Sequence, residues 1–218
     1  MTAARVVLRP MANPLPLGFL ALAGGTFTVS GLQLGWVETA ESASVGLILL
    51  AFVVPLQLVA SVLGFLARDP ATGTGMAILA GTWGSLALVT ITGAPGATSD
   101  AMGLLLLVSA TAMGMCCAVA APVKVVPALV LATTTLRFAV TGVYELTGSG
   151  GWKDLAGWVG VALAAVAGYA ALALLLEDGR RATVLPVGRR GAARAAMDHA
   201  PQDAVARVWR EAGVRDQL

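Results

Sequence analysis

Asn13-Pro14-Leu15-Pro16-Leu17-Gly18-Phe19 stands directly ahead of residues 20–37, a stretch with no charged side chain. Proline suits the first turn of a helix, where its missing N–H would have had no intrahelical partner. Asn13 is placed to cap that turn. The stretch therefore reads as a polar clasp opening a helix. The apolar run behind it is long enough to cross a hydrocarbon core of ~30 Å at about 1.5 Å per residue. No cleavable signal peptide is expected, because the run is too long for a signal core and lacks a small-residue cleavage site.

The rest of the chain repeats that pattern. Of 218 residues, 57% are hydrophobic and 12% charged, with a mean hydropathy of +0.82. Soluble domains carry about 25% charged residues, so this chain cannot coat a water-facing surface. The apolar runs are residues 17–37, 45–66, 74–93, 101–121, 125–146 and 155–176. Breaks between them contain Glu38 and Glu41, then Arg68-Asp69-Pro70, Ala94-Pro95-Gly96, Pro122 with Lys124, and the Gly148–Gly151 loop. The expected fold class is an all-α membrane protein with six transmembrane helices. Residues 1–16 form a leader, residues 17–176 a six-helix transmembrane domain, and residues 177–218 a loosely ordered tail rich in Arg and Ala.

Charge sets the orientation. With the N-terminus inside, the inner segments hold Arg5, Arg9, Arg68, Lys124 and the eight arginines of the tail, whereas the outer loops hold only Lys153. Both termini are expected in the cytoplasm, in a multi-pass protein of the cell membrane. Within the tail, Ala204–Glu211 can form a short helix with Val205, Val208 and Trp209 on one face, suited to an anionic lipid surface. His199 is given no functional role.

No catalytic constellation is present. The only histidine lies in the tail, adjacent Cys116 and Cys117 read as small apolar residues, and the glycines fall inside apolar runs instead of following a strand. No enzyme activity, cofactor, metal or nucleic-acid partner is expected. Gly31-x-x-x-Gly35 and the series Gly157, Gly160, Ala164 and Gly168 suggest close helix packing.

Polar residues at membrane depth are Gln33, Gln57, Thr82, Ser109, Thr111 and a fifth-helix group of Thr133, Thr134, Thr135, Arg137 and Thr141. A threonine commonly bonds back to its own helix. Arg137 differs, because a mid-span arginine costs about 2.5–3.5 kcal/mol on insertion scales and must face a cavity or a partner. It reads either as a ligand for a small anion, with Thr133, Thr134 and Thr141 on its face, or as a structural arginine held by carbonyls or Glu145.

Four stretches resemble the acetate uptake transporter family in order and spacing. They are Asn13-Pro14-Leu15-Pro16-Leu17-Gly18, Trp83-Gly84-Ser85, Ala156-Gly157-Trp158-Val159-Gly160 and Thr183-Val184-Leu185-Pro186-Val187-Gly188. The resemblance implies six helices with cytoplasmic termini, carrying acetate and in some members succinate, with a proton or channel-like. It further implies a homo-hexamer in which each protomer has its own pore. The pinch of that pore maps to Leu22, Trp83 and Thr134, with the clasp at the cytoplasmic mouth. Only Trp83 keeps the aromatic character usual there. Leu22 replaces a phenylalanine, Thr134 a leucine, and Arg137 occupies an ordinarily apolar place. A urea or short-amide channel on a similar plan and a non-transporting scaffold using the basic tail are the competing readings.

Overall fold

The computed structural model describes residues 12–180 and 182–190. The expected surface helix at 204–211, His199 and the part of the leader that carries Arg5 and Arg9 lie outside them. Among the described residues six helices are long and apolar enough to span a membrane: Leu15–Gln33, Thr39–Leu66, Pro70–Thr92, Asp100–Ala120, Val125–Thr147 and Gly150–Arg180. They are called the first to the sixth helix. Large apolar side chains stand exposed along them, among them Phe27, Phe52, Val62, Leu104, Val108 and Leu172. Such a surface would aggregate in water and is at ease in lipid.

Local chemistry sets the ends. Asp69 caps the third helix by accepting the Thr72 N–H at 3.0 Å, and Ser99 caps the fourth by accepting the Met102 N–H at 3.3 Å. The first helix stops where Gly35 takes a left-handed conformation (φ 75°) and the Trp36 and Val37 N–H groups return to the Gly31 carbonyl. Within the protomer the Gly31-x-x-x-Gly35 spacing thus serves as a helix terminator, with Gly31 facing Trp36 and Val37 and not another helix. The second helix contains a π-helical turn over Leu49–Val53. Pro55 explains it, since a proline within a helix removes one ladder bond and crowds the carbonyl of the preceding turn.

Packing runs through small residues, as expected where lipid provides no hydrophobic drive between helices. The second and third helices cross at Gly64 and Gly73, and the fourth and fifth at Gly103 and Gly142. At each crossing a Cβ would come within 3.0 Å of the facing backbone. The sixth helix lies along the first, with Gly157 against Leu34 and Gly160 against Ser30. Gly168, by contrast, faces open space.

After the sixth helix the chain turns back. The Val125 N–H donates to the Gly188 carbonyl, Val126 N–H to Val187, and Arg190 N–H to Val123, at 3.0–3.1 Å. Val187 is buried, and Arg189 pairs with Glu177. Residues 182–190 therefore form a strap across the start of the fifth helix, at the face of the bundle that also carries Asn13. We call this the proximal face and the opposite one the distal face.

Candidate functional site: two vestibules and a buried plug

The first, third and fifth helices enclose the site. At the proximal face they line a cavity of about 160 Å³ with Phe19, Asp69, Met76, Leu79, Lys124 and Leu131. At the distal face the same helices, with the second and with Lys153 of the sixth, line one of about 80 Å³ that includes Val29, Gln33, Leu86, Thr141 and Glu145. On each of the three helices a short segment separates the two sets of lining residues. Those segments hold Leu22, Trp83, Thr134 and Phe138, which are 0, 1, 0 and 2% exposed. Trp83 and Phe138 meet edge to face, with centroids 6.0 Å apart at 69°. The interior thus holds two vestibules divided by an apolar, aromatic plug.

The sequence-predicted residues distribute unevenly around this plan. Leu22, Trp83 and Thr134 share the plug's depth. The Thr134 hydroxyl donates to the Val130 carbonyl at 2.8 Å, so its proton is committed to its own helix. In the clasp, Asn13 accepts the Leu15 N–H at 3.1 Å and the Pro14 carbonyl accepts the Gly18 N–H at 3.2 Å. Pro14, Pro16 and Gly18 are buried and Leu17 half-buried, with Gly18 packed on Met76. From this stretch it is Leu15 and Phe19 that reach the proximal vestibule.

Arg137 lies behind the plug wall. It is 1% exposed, and its Nη1 donates to the carbonyl of Ala156 in the sixth helix, beside Gly160 and Ser30. Of the two anchors expected for a structural arginine, a carbonyl is the one found. Glu145 instead accepts the Ser99 N–H at 2.9 Å. Thr133 and Thr141 bond back to the carbonyls of Leu129 and Arg137 at 2.8 and 2.7 Å. The expected polar stripe is therefore satisfied internally.

Two residues outside the expected pinch belong to this region. Phe138 was hidden because an aromatic in an apolar helix carries no distinguishing signal. Gln57 is fully buried, and neither its amide oxygen nor its amide nitrogen finds a protein partner. Its depth follows from the helix pairing. Ala60 lies near Gly18 and Val53 near Gly25, which sets Gln57 beside the Leu22 level. The Trp83 indole N–H is likewise buried and unpartnered. Each such group costs about 1–3 kcal/mol unless something polar meets it.

A six-helix membrane protein with a cavity at each face and a greasy division between them has the build of a transport protein. The model of the GPR1/FUN34/yaaH family matches residues 1–189, and the chain belongs to that family, the acetate transporter family its motifs resemble. Among solved structures, one described as the bacterial acetate channel SatP aligns with a TM-score of 0.73 and 22% identity, over 82% of this chain and 100% of that one. That likeness establishes the fold. No match is found among curated proteins.

Proposed function

We propose that this chain is a channel or transporter for acetate or a similar small monocarboxylate, with succinate as a further candidate substrate, and with the acid accompanied by a proton. The observation that carries the reading is the pair of vestibules separated by one thin plug of Leu22, Trp83, Thr134 and Phe138. Desolvating a bare carboxylate at an apolar pinch is costly. Protonation of the acid or compensation by fixed polar groups lowers that cost. The unpartnered amide of Gln57 and the indole N–H of Trp83 supply such groups at the plug, and Arg137 supplies a positive field behind it.

In this reading the proximal face is cytoplasmic, as the arginine count favours, so both termini lie inside. The clasp from Asn13 to Gly18 shapes the inner mouth, residues 17–176 form the transport unit, and residues 177–218 form a cytoplasmic tail. Assembly as a homo-hexamer in the cell membrane, one passage per protomer, completes the proposal.

The test is uptake of labelled acetate into reconstituted vesicles at several pH values, with unlabelled acetate, succinate or urea as competitor. Competition by unlabelled acetate alone, enhanced by an inward proton gradient, supports the proposal. Competition by urea with indifference to acetate overturns it in favour of a neutral-solute channel. Arg137→Leu, which removes the buried charge while keeping apolar bulk, is expected to reduce acetate uptake about tenfold, with the oligomer unchanged by size-exclusion chromatography. Such a loss corresponds to about 1.4 kcal/mol. Undiminished uptake would discard the electrostatic role of this arginine.

A further inference from the structure

The chain contains two lysines, Lys124 and Lys153. Each lines one vestibule, Lys124 the proximal and Lys153 the distal. Both are half-buried. Each vestibule also has one carboxylate, and in both cases it is already engaged by a backbone N–H. Asp69 accepts from the Thr72 N–H and, at 2.7 Å, from the Thr72 hydroxyl, while Glu145 accepts from the Ser99 N–H. Neither lysine forms an ion pair with a described residue. The two mouths therefore repeat one arrangement, a cation left available beside an occupied acid, although their sequences share nothing.

At the proximal mouth the strap adds a constraint. Its antiparallel bridge sets Lys124 opposite Arg189, and the Val125 N–H to Gly188 carbonyl bond fixes the backbone just after the lysine. Glu177 holds the Arg189 guanidinium, which keeps it from competing for an incoming anion. Burial, and then the nearby Arg189, pull the Lys124 ammonium below its usual range, against Asp69 and Asp178. An added negative charge at this site favours the ammonium and so offsets both causes.

We propose that Lys124 and Lys153 are carboxylate-binding stations, one at each mouth of the passage, and that residues 182–190 act as a strap positioning the proximal one. A small carboxylate docks on the ammonium through a charge-assisted hydrogen bond before it enters the plug, and on the second ammonium after leaving it. The ligand class is the monocarboxylate of the proposed function, on which this inference rests.

The test reads binding separately from transport. The intact protein in detergent is treated with an amine-acylating reagent, and modification of the two lysine peptides is followed by mass spectrometry. Acetate is expected to slow acylation of both lysines several-fold, whereas acetamide, of similar shape and no charge, leaves the rates unchanged. Glu177→Gln, which frees the strap, is expected to speed acylation of Lys124 and leave Lys153 as an internal control. In vesicles, Lys124→Gln is expected to raise the half-saturating acetate concentration about tenfold for flux entering from the proximal face, with Lys124→Arg within about twofold of the parent. Acylation rates indifferent to acetate, in a protein whose vesicles still carry acetate, overturn the lysine stations and leave the transport reading standing. Absence of any acetate flux in the parent protein counts against the transport reading, and protection of the lysines would still be decided by the acylation assay alone.

Discussion

Trp83→Ala is expected to broaden the size range of acids that cross the membrane more than any other single change. Among the described residues Trp83 is the largest fully buried side chain, and it meets Phe138 of the fifth helix edge to face at the plug. Truncation to alanine removes the whole indole at the plug. Vesicles with the variant should take up butyrate or benzoate at rates approaching acetate, whereas the parent discriminates. The same truncation leaves a cavity, and large-to-small changes of this kind cost about 3–5 kcal/mol in a packed interior. A lowered melting temperature should accompany the altered selectivity. An unchanged size cutoff would place the pinch elsewhere. Trp83→Phe separates two roles of the residue. It keeps the apolar bulk and deletes an indole N–H that has no protein partner. If that N–H serves the permeating acid, flux falls with little change in stability; if it is a silent orphan, flux holds and stability rises.

Gly160→Leu is expected to have the largest effect on folding. The first, fifth and sixth helices converge on Gly160. Its missing side chain leaves room for Ser30 and for the Arg137 guanidinium, and Thr26 Oγ1 reaches its carbonyl at 3.4 Å. Any side chain at this position collides with the arginine. Overpacking alone costs about 1–3 kcal/mol. Displacing Arg137 from the Ala156 carbonyl also leaves a buried charge without its partner, a further penalty of about 3–5 kcal/mol by analogy with broken buried pairs. The variant should fail to accumulate as a monodisperse species in mild detergent. Combining it with Arg137→Leu should restore part of the lost yield, because the clash with the guanidinium and the stranded charge disappear together while the clash with Ser30 remains. A monodisperse single variant melting within a few degrees of the parent would contradict this packing account.

How much of this was legible beforehand depends on what each feature rests upon. The six spans follow from apolar run length and from breaks such as Arg68-Asp69-Pro70, where a cap and a proline act locally. The buried aromatic at Trp83 came from a motif. Partners made of backbone leave no trace in residue identity. The Ala156 carbonyl that holds Arg137 could be any residue's carbonyl, and the strap's hydrogen bonds join main chain to main chain. Gly35 illustrates the converse. Its spacing from Gly31 suits helix packing, but a glycine just beyond the last turn serves equally as a left-handed terminator, and only the backbone angle separates the two. The threonines around Arg137 mark a polar face by spacing, while each hydroxyl in fact returns to its own helix. Gln57 was visible as a polar residue at depth, yet its importance lies in the absence of a protein partner, which requires the packed arrangement to see.

The proposed path for small acids runs through the plug at Leu22. Its most direct test uses Leu22→Cys in a chain whose native cysteines, Cys116 and Cys117, are replaced by alanine. A small thiol-reactive reagent is applied to reconstituted vesicles, and labelled acetate uptake is measured with the extent of modification. Modification is predicted to abolish uptake, and acetate present during the reaction is predicted to slow the modification. Complete modification with uptake unchanged would contradict the account.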